Sequence, residues 1–508
     1  MRVFHACLML GISVGSSHAV GRFTTSTVVP GVPRHVSTDL PRVKLVETTF
    51  AAHPRNPDNQ VAAAMVLREG RTGVVVYSTH DGGRTWTPGG SAAGDKTRED
   101  ALDPWVIFTA DGTVLLTYLS AGSSNNFAVI RSTDGGRTWS SPTFVPGGLY
   151  DRQYLAEDAS DGSKYKGRVY ALGKINVNRL GGLPFQAIAV SESVDGAVTF
   201  SPPRLFVPPD DGGDPLWIVA GGLTTRTGKL VVPFATVLRP NATDTTLRYT
   251  LWTTESADGG RTFSAPSFVG RRLVSRKGLQ QVISVPSVAI DRSDGIYDDR
   301  LYLAWSVAHN EGHAVQIWRS ESSGRKWSDG VTVNDNTRPA GHVNPSVAAN
   351  ASGALAVAWY DRRGDPGNTC HSLFVAASLD GGETFSPNVP AASTQTCVSS
   401  GRFANVGDTL GLASDAGGQF HAAVISGKQR DEMQLYVVPF TVQRTSGAAD
   451  RPKRSMRECA CGARLAPVPE QVARCIGFVG PATGGMCSAH TSRRSRTIVS
   501  PKIRRASY

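Results

Sequence analysis

Short runs in which apolar and polar side chains alternate recur along the chain. Residues 127–132 (FAVIRS), 187–193 (AIAVSES) and 315–320 (VQIWRS) are examples. Because successive side chains of a β-strand point to opposite faces of a sheet, a period of two is typical of a strand with one buried face. We therefore expect the chain to be built from short β-strands.

Each of these runs leads into a glycine-rich turn motif. The copy at residues 132–139 reads STDGGRTW, and the copies follow one another at intervals of about 50 to 65 residues, the length of one small sheet. Glycine adopts positive φ at little cost and aspartate accepts main-chain N–H bonds, so Asp-Gly-Gly after a strand predicts a hairpin. The acidic position of the motif falls at Asp81, Asp134, Asp195, Asp258 and Asp380, and Ser322 occupies it in one copy.

Between these motifs lies a second pattern, in which two apolar runs flank a small turn. Each such pair, together with the strand before the turn motif and the strand after it, makes a four-stranded meander, which is the unit of a β-propeller. We predict an all-β fold, a propeller of four-stranded antiparallel blades over residues 40–445, with seven blades, or six if one pair is an insertion. The seventh blade lacks the turn motif, and we expect residues 42–47 (RVKLVE) to complete it and close the ring. The seven pairs span residues 49–66, 105–120, 154–175, 217–237, 286–307, 345–360 and 410–426.

The turn motif resembles the Asp box, or BNR repeat, of the sialidase-like propeller superfamily, and the resemblance covers residues 49–442. It implies that the boxes lie at the turn between the third and fourth strands of each blade, away from the catalytic face. It does not identify an activity, because enzymes, sorting receptors and binding proteins share the motif. We therefore interpret the box aspartates as structural.

Charged loops lead into the first strand of each predicted blade, and a propeller brings these loops together around its axis. Arginine beside aspartate and aromatic rings suits a carboxylated or hydroxyl-rich ligand such as a sugar. The alternatives are that Asp–Arg pairs tie neighbouring blades together and that Tyr360 caps a strand edge. Candidate catalytic residues are Asp103, Asp151 and Asp214 as the acid/base and Tyr360 as the nucleophile; candidate ligand-binding residues are Arg152, Arg338, Asp361, Arg362, Arg402 and Asp408.

The resemblance also implies a catalytic pattern, of which one element is missing. A sialidase would hold its substrate carboxylate with three arginines and would use a tyrosine nucleophile assisted by a glutamate, with an aspartate as acid/base. The first arginine belongs to a Phe/Tyr-Arg-Ile-Pro motif, which neither residues 31–36 (GVPRHV) nor 40–45 (LPRVKL) match. Two functions remain open: an exo-acting glycoside hydrolase that binds an acidic sugar, and a non-catalytic module that binds a glycan or a protein.

The charge and composition of the chain limit which ligands and which cellular location we expect. The chain of 508 residues has a net charge of +11, but residues 451–508 contain 12 basic and 2 acidic residues, which leaves about +1 for the rest. We therefore expect a carbohydrate or glycoconjugate ligand rather than nucleic acid, and a monomer. Residues 1–19 combine one arginine, a short apolar run and a small-residue end, which favours a signal peptide and a secreted or periplasmic protein over a buried N-terminal strand. No later run is apolar enough for a membrane span.

The remaining motifs predict neither a metal nor a cofactor. Residues 309–313 (HNEGH) lack the helix that would align two histidines, and Asp210, Asp211 and Asp214 fit a solvated loop better than a calcium site. Cys370 and Cys397 flank the last box closely enough to form a disulfide in an exported protein. Residues 446–508 form a basic tail with four further cysteines, which we expect to be disordered.

Overall fold

The computed structural model describes residues 25–68, 71–91, 100–121, 125–148, 150–177, 185–206, 214–238, 246–275, 285–309, 312–321, 323–392, 395–397, 406–427 and 433–445. The predicted signal peptide, the basic tail, Ser322 and Arg402 lie outside these residues. Across the described ranges, no helix has the length and apolar character that a bilayer crossing requires.

Seven antiparallel sheets make up the described part of the chain, which confirms the seven-bladed propeller and excludes the six-bladed alternative. In blades 1 to 6 the strands follow one another in chain order from the axis outwards. The strands of blades 1 to 3 are Lys44–Ala52, Asn59–Arg68, Arg71–His80 and Thr87–Ser91; Asp100–Phe108, Val114–Ala121, Asn125–Ser132 and Thr143–Phe144; and Tyr150–Glu157, Val169–Val177, Phe185–Ser193 and Arg204–Phe206.

Blades 4 to 7 repeat this plan, and three of them carry an additional short strand. Blade 4 contains Asp214–Val219, Leu230–Leu238, Thr246–Ser256 and Ser267–Ser275, with Leu223–Thr224 beside its second strand; blade 5 contains Ser287–Ile290, Leu301–His309, Gly312–Ser320 and Val331–Thr332. Blade 6 contains His342–Ala349, Leu355–Asp361, Cys370–Ser378 and Val389–Pro390, with Thr396–Cys397 beside its third strand. Blade 7 contains Gly411–Ser414, Phe420–Ser426, Gln434–Thr445 and Thr25–Pro30, with Arg34–His35 beside its third strand.

The ring is closed by a different segment from the one that the sequence suggested. Thr25–Pro30 pairs antiparallel with Gln434–Thr445 and supplies the outer strand of blade 7. The prediction that residues 42–47 close the ring is wrong, because Lys44–Ala52 is the innermost strand of blade 1. Burial explains the difference: Leu45 and Val46 are fully buried, as an innermost strand between two neighbouring blades requires, and such a run does not suit an outer edge.

The core lies between the blades. The inner three strands of each blade bury side chains on both faces, and each face packs against the next blade. Trp305 lies in the packing of blades 4 and 5, and Trp359 in that of blades 5 and 6, both with 1% exposure or less. Burial of a large apolar side chain contributes roughly 2 kcal/mol, so these layers hold the ring together.

The turn motifs lie where the sequence placed them, between the third and fourth strands of a blade. In blade 2, Asp134 Oδ1 accepts hydrogen bonds from Ser132 Oγ and the Thr138 amide, and Oδ2 accepts one from Thr138 Oγ1. Asn59 Nδ2 of blade 1 donates to Gly135 O of this turn at 3.0 Å. The turn therefore stabilises both its own hairpin and the contact with the preceding blade.

Because neighbouring strands are antiparallel, the turn motifs and the loops from the first to the second strand lie on one face, which we call the box face. The chain enters each innermost strand on the opposite face, which we call the axial face. The predicted disulfide between Cys370 and Cys397 is also confirmed, and it joins Thr396–Cys397 to the third strand of blade 6.

Candidate functional site

The innermost strands of several blades break their hydrogen-bonding register at an equivalent point near their start. The breaks fall at Val46/Thr49, Leu102/Trp105, Asp151/Tyr154 and Val343/Ser346. Such a β-bulge inserts an extra residue and redirects its side chain. The redirected residues are Glu47, Asp103, Arg152 and Asn344, with φ between 50° and 56°.

A positive φ costs a residue with a side chain of order 1 kcal/mol or more, and it persists only where the surrounding structure enforces it. Here it recurs at the same position in blades 1, 2, 3 and 6. Since an innermost strand starts at the axial face, the redirected side chains meet around the axis on that face.

An ion pair joins two blades across this end of the axis. Arg152 Nη2 of blade 3 lies 2.5 Å from Asp408 Oδ2, on the segment that leads into blade 7. The two side chains are 14% and 25% exposed, so water screens the pair only partly. Asp151, next to Arg152, forms its own ion pair with Lys174 Nζ at 2.6 Å.

Two carboxyl groups interact with each other beside this ion pair. Glu47 of blade 1 is 6% exposed, and its partner is Asp103 of blade 2. Burial, followed by the charges of Asp103 and Asp408, raises the pKa of Glu47 well above its usual range. Burial raises the pKa of Asp103 as well. The pair therefore holds a proton at pH values at which an exposed carboxyl group would have lost it.

We refer to Glu47, Asp103, Asp151, Arg152 and Asp408 as the axial cluster. Two aromatic side chains lie against it: the rings of Trp105 and Tyr154 meet edge to face, with centroids 4.9 Å apart. Burial raises the pKa of Tyr154, so its hydroxyl group keeps its proton. Trp105, Tyr154 and Thr409 line two adjoining recesses of about 20 and 30 Å³, each large enough for one or two water-sized groups.

The structure brings together four of the residues that the sequence suggested, namely Asp103, Asp151, Arg152 and Asp408. Asp214 begins the innermost strand of blade 4, but its side chain lies outside the described part of the structure. Arg338 is exposed in the segment that precedes blade 6, where its carbonyl oxygen accepts a bond from Asn336. Arg402 lies outside the described residues.

Three predicted residues at the end of the second strand of blade 6 are buried in structural contacts. Tyr360 Oη accepts a bond from the Ile425 amide of blade 7 at 2.9 Å, which favours its interpretation as a packing residue over a nucleophile. Arg362 Nη1 donates to Asn368 O at 2.9 Å within its own loop.

Asp361, the third of these residues, accepts a bond from Trp359 Nε1 at 2.7 Å. Burial opposes its ionisation, but hydrogen bonds from His342 and Arg363 lower the pKa of Asp361 to about 2. It is therefore a buried counter-ion for the cations around it.

Glu47, Trp105 and Tyr154 were missed by reasoning from the sequence. Glu47 was assigned to an outer strand, and no acid of an outer strand reaches the axis. The available signal was the position of Glu47 within Lys44–Ala52, because it follows two apolar residues as Asp103 follows Ala101 and Leu102.

A larger groove of about 620 Å³ opens on the box face between blades 1, 2 and 3. Burial raises the pKa of Glu157 there to about 7, and Glu157 Oε2 accepts the Ala110 amide at 2.7 Å. The neighbouring charges are exposed, and Lys166 is paired with Asp161. The axial cluster is the better candidate site, because it unites buried charges from four blades.

Several solved structures are similar to this chain at low sequence identity. A protein of unknown function from Dyadobacter fermentans DSM 18053 has 14% identity and a TM-score of 0.47, over 82% of this chain and 100% of that chain. A Hadza microbial sialidase has 14% identity and a TM-score of 0.45, over 83% and 93%. A polysaccharide lyase described as an ulvan lyase has 11% identity and a TM-score of 0.47, over 82% and 94%.

No protein-family model matches the chain, and no curated protein matches it. The assignment of a seven-bladed propeller therefore rests on the sheets of this chain itself.

Proposed function

We propose that the chain is a carbohydrate-active propeller that cleaves a glycosidic bond at the axial cluster. The observation that carries this proposal is the interacting carboxyl pair of Glu47 and Asp103, which have raised pKa values and line a recess on the axial face together with Arg152 and two aromatic rings. Acid-assisted cleavage of a glycoside needs a proton donor, and a carboxylic acid with a raised pKa supplies it in glycosidases.

The two carboxyl groups have different exposures and therefore different roles. Asp103 is half-buried and lines one recess, so it is the group that would give its proton to the leaving oxygen of the sugar. Glu47 is more deeply buried and would share the proton with Asp103. Water would then attack the anomeric carbon and return a proton to the pair. Tyr154 keeps its proton, so its setting offers no phenolate nucleophile.

Arg152 and the aromatic residues would position the ligand. The ion pair with Asp408 fixes Arg152 at the axis, and the half-buried Trp105 would offer its ring to the carbon face of a sugar. The expectation of an acidic sugar depended on a set of arginines. Among the described residues one arginine, Arg152, belongs to the axial cluster, which also favours the second candidate, a propeller that binds a glycan or a protein without cleaving it.

A panel of fluorogenic glycosides on the purified protein tests the proposal, with Asp103→Asn and Glu47→Gln beside the wild type. We expect Asp103→Asn to lower kcat by about 10²-fold or more, because the proton donor is lost. Asp329→Asn, an exposed substitution in the turn of blade 5, is the matched control and should leave kcat unchanged. Saccharide binding without cleavage of any glycoside would establish the binding module instead.

A further inference from the structure

Four buried polar atoms at the floor of the axis have no hydrogen-bond partner within the described part of the chain. They are Gln153 Oε1, Asn344 Oδ1, Thr409 Oγ1 and Trp105 Nε1. All four residues line the two recesses. Buried polar groups are almost always hydrogen-bonded, because leaving one unsatisfied is costly. Their convergence at one place points to a ligand that is itself polar.

The geometry fixes which atoms of the two amides are available. Gln153 Nε2 donates to Asp103 O, and Asn344 Nδ2 donates to Gly407 O at 2.8 Å. Each amide therefore presents its oxygen, an acceptor, as the atom left for a ligand. Both side chains are 2% exposed, so they have little freedom to turn away. A ligand that satisfies them must donate hydrogen bonds, as a sugar hydroxyl group does.

The net charge of the axial cluster and Lys174 disfavours an anionic ligand. Arg152 and Lys174 contribute two positive charges, and Asp103, Asp151 and Asp408 contribute three negative charges when Glu47 holds its proton, which leaves −1 for these described groups. Arg152 is already engaged by Asp408. A sugar carboxylate would have to displace Asp408 and would then lie beside the remaining acids.

The two recesses have the right size for hydroxyl groups. Their volumes of about 20 and 30 Å³ are each large enough for one or two water-sized groups, and a hydroxyl group has that size. They adjoin at Trp105, Tyr154 and Thr409, so two neighbouring substituents of one ring can enter them together.

We propose that the axial cluster selects an uncharged sugar, with adjacent hydroxyl groups bound by Gln153, Asn344 and Thr409, and that Arg152 is an internal counter-ion rather than a carboxylate clamp. This inference rests on the proposed function for the location of the ligand and adds its chemical class. It replaces the expectation of an acidic sugar.

The experiment compares fluorogenic glycosides of neutral sugars with those of a uronic acid and of sialic acid on the full chain. The corresponding free sugars are titrated by calorimetry in parallel. Thr409→Val removes the hydroxyl group at nearly constant volume, Thr409→Ser retains it, and Thr27→Val on the exposed edge of blade 7 is the control. We expect neutral glycosides to be preferred, and Thr409→Val to raise KM about tenfold or more with little change in kcat. Thr409→Ser should restore KM, and Thr27→Val should not change it.

The outcomes separate this inference from the cleavage proposal. Binding of neutral sugars that depends on Thr409, without cleavage, would support the inference and remove the proposed hydrolysis. Preferred cleavage of the sialoside or the uronide, with loss of activity in Asp103→Asn, would overturn the inference and leave hydrolysis standing. If neither the neutral nor the acidic saccharides bind, both the inference and the cleavage proposal are overturned.

Discussion

Asp134 on the box face and Glu47 on the axial face are two carboxyl groups whose surroundings shift their pKa values in opposite directions. On the box face, burial of Asp134 raises its pKa, but the bonds from Thr138 and Ser132 prevail and lower it. On the axial face, Glu47 has another carboxyl group, Asp103, as its partner, and burial dominates, so its pKa rises. A hydrogen-bonded anion suits a structural turn, whereas a retained proton suits acid catalysis.

The raised pKa of Glu47 has a consequence for stability. Below the usual glutamate pKa of about 4.3, folded and unfolded chains both hold the proton. Above it the unfolded chain releases the proton while the folded chain keeps it, so this group lowers the free energy of unfolding as pH rises towards the folded pKa. We expect Glu47→Gln to be more stable than wild type at pH 8, by at least about 1 kcal/mol, and to differ little at pH 4. Urea denaturation at both pH values measures this difference, with Asp329→Asn as the control; an equal difference at both would contradict the assignment.

The strands and their turn motifs could be predicted from the sequence, whereas the axial cluster could be predicted only in part. Alternation and the Asp-Gly-Gly motif are local patterns, and they located the hairpins and the seven pairs of inner strands. The register breaks that redirect Glu47 and Asn344 have no such pattern, because they depend on the neighbouring strand. The pairing of residues 42–47 also depends on residues far away in the chain. Because these residues were assigned to the outer edge of blade 7, Glu47 was not recognised as an axial residue.

The aspartate of a turn motif stabilises a whole hairpin, so its loss should weaken one blade. Asp134→Ala removes the acceptor for Ser132 Oγ and for the amide and hydroxyl groups of Thr138. We expect the free energy of unfolding to fall by about 1 kcal/mol, because water can replace part of these exposed bonds, without change in saccharide affinity at the axis. Because the pKa of Asp134 is lowered, the difference from wild type should be complete above about pH 4 and shrink as pH falls further. A loss of axial binding in the folded variant would contradict the structural role.

The disulfide of blade 6 closes a loop of moderate length. Cys370 and Cys397 are 27 residues apart, and cross-linking such a loop restricts the unfolded chain by roughly 3 kcal/mol. We expect the double substitution Cys370→Ser and Cys397→Ser to lower the free energy of unfolding by about that amount, as measured by urea denaturation without reductant. Wild type in reductant should behave like the double variant, and a reductant effect on the double variant itself would point to another cysteine.

At the scale of the whole molecule, the propeller depends on one pairing between strands about four hundred residues apart in the chain, Thr25–Pro30 and Gln434–Thr445. Without it, the outer edge of blade 7 would expose main-chain donors and acceptors and uncover Val28, which is now 4% exposed. A chain that lacks residues 1–30 should therefore unfold at lower urea concentration, with a loss of several kcal/mol in unfolding free energy, and should aggregate at concentrations at which the full chain does not. A chain that lacks only residues 1–19 keeps this strand and should match the full chain. If both truncated chains unfold at the same urea concentration as the full chain, the ring does not need this strand, and the closure described here is wrong.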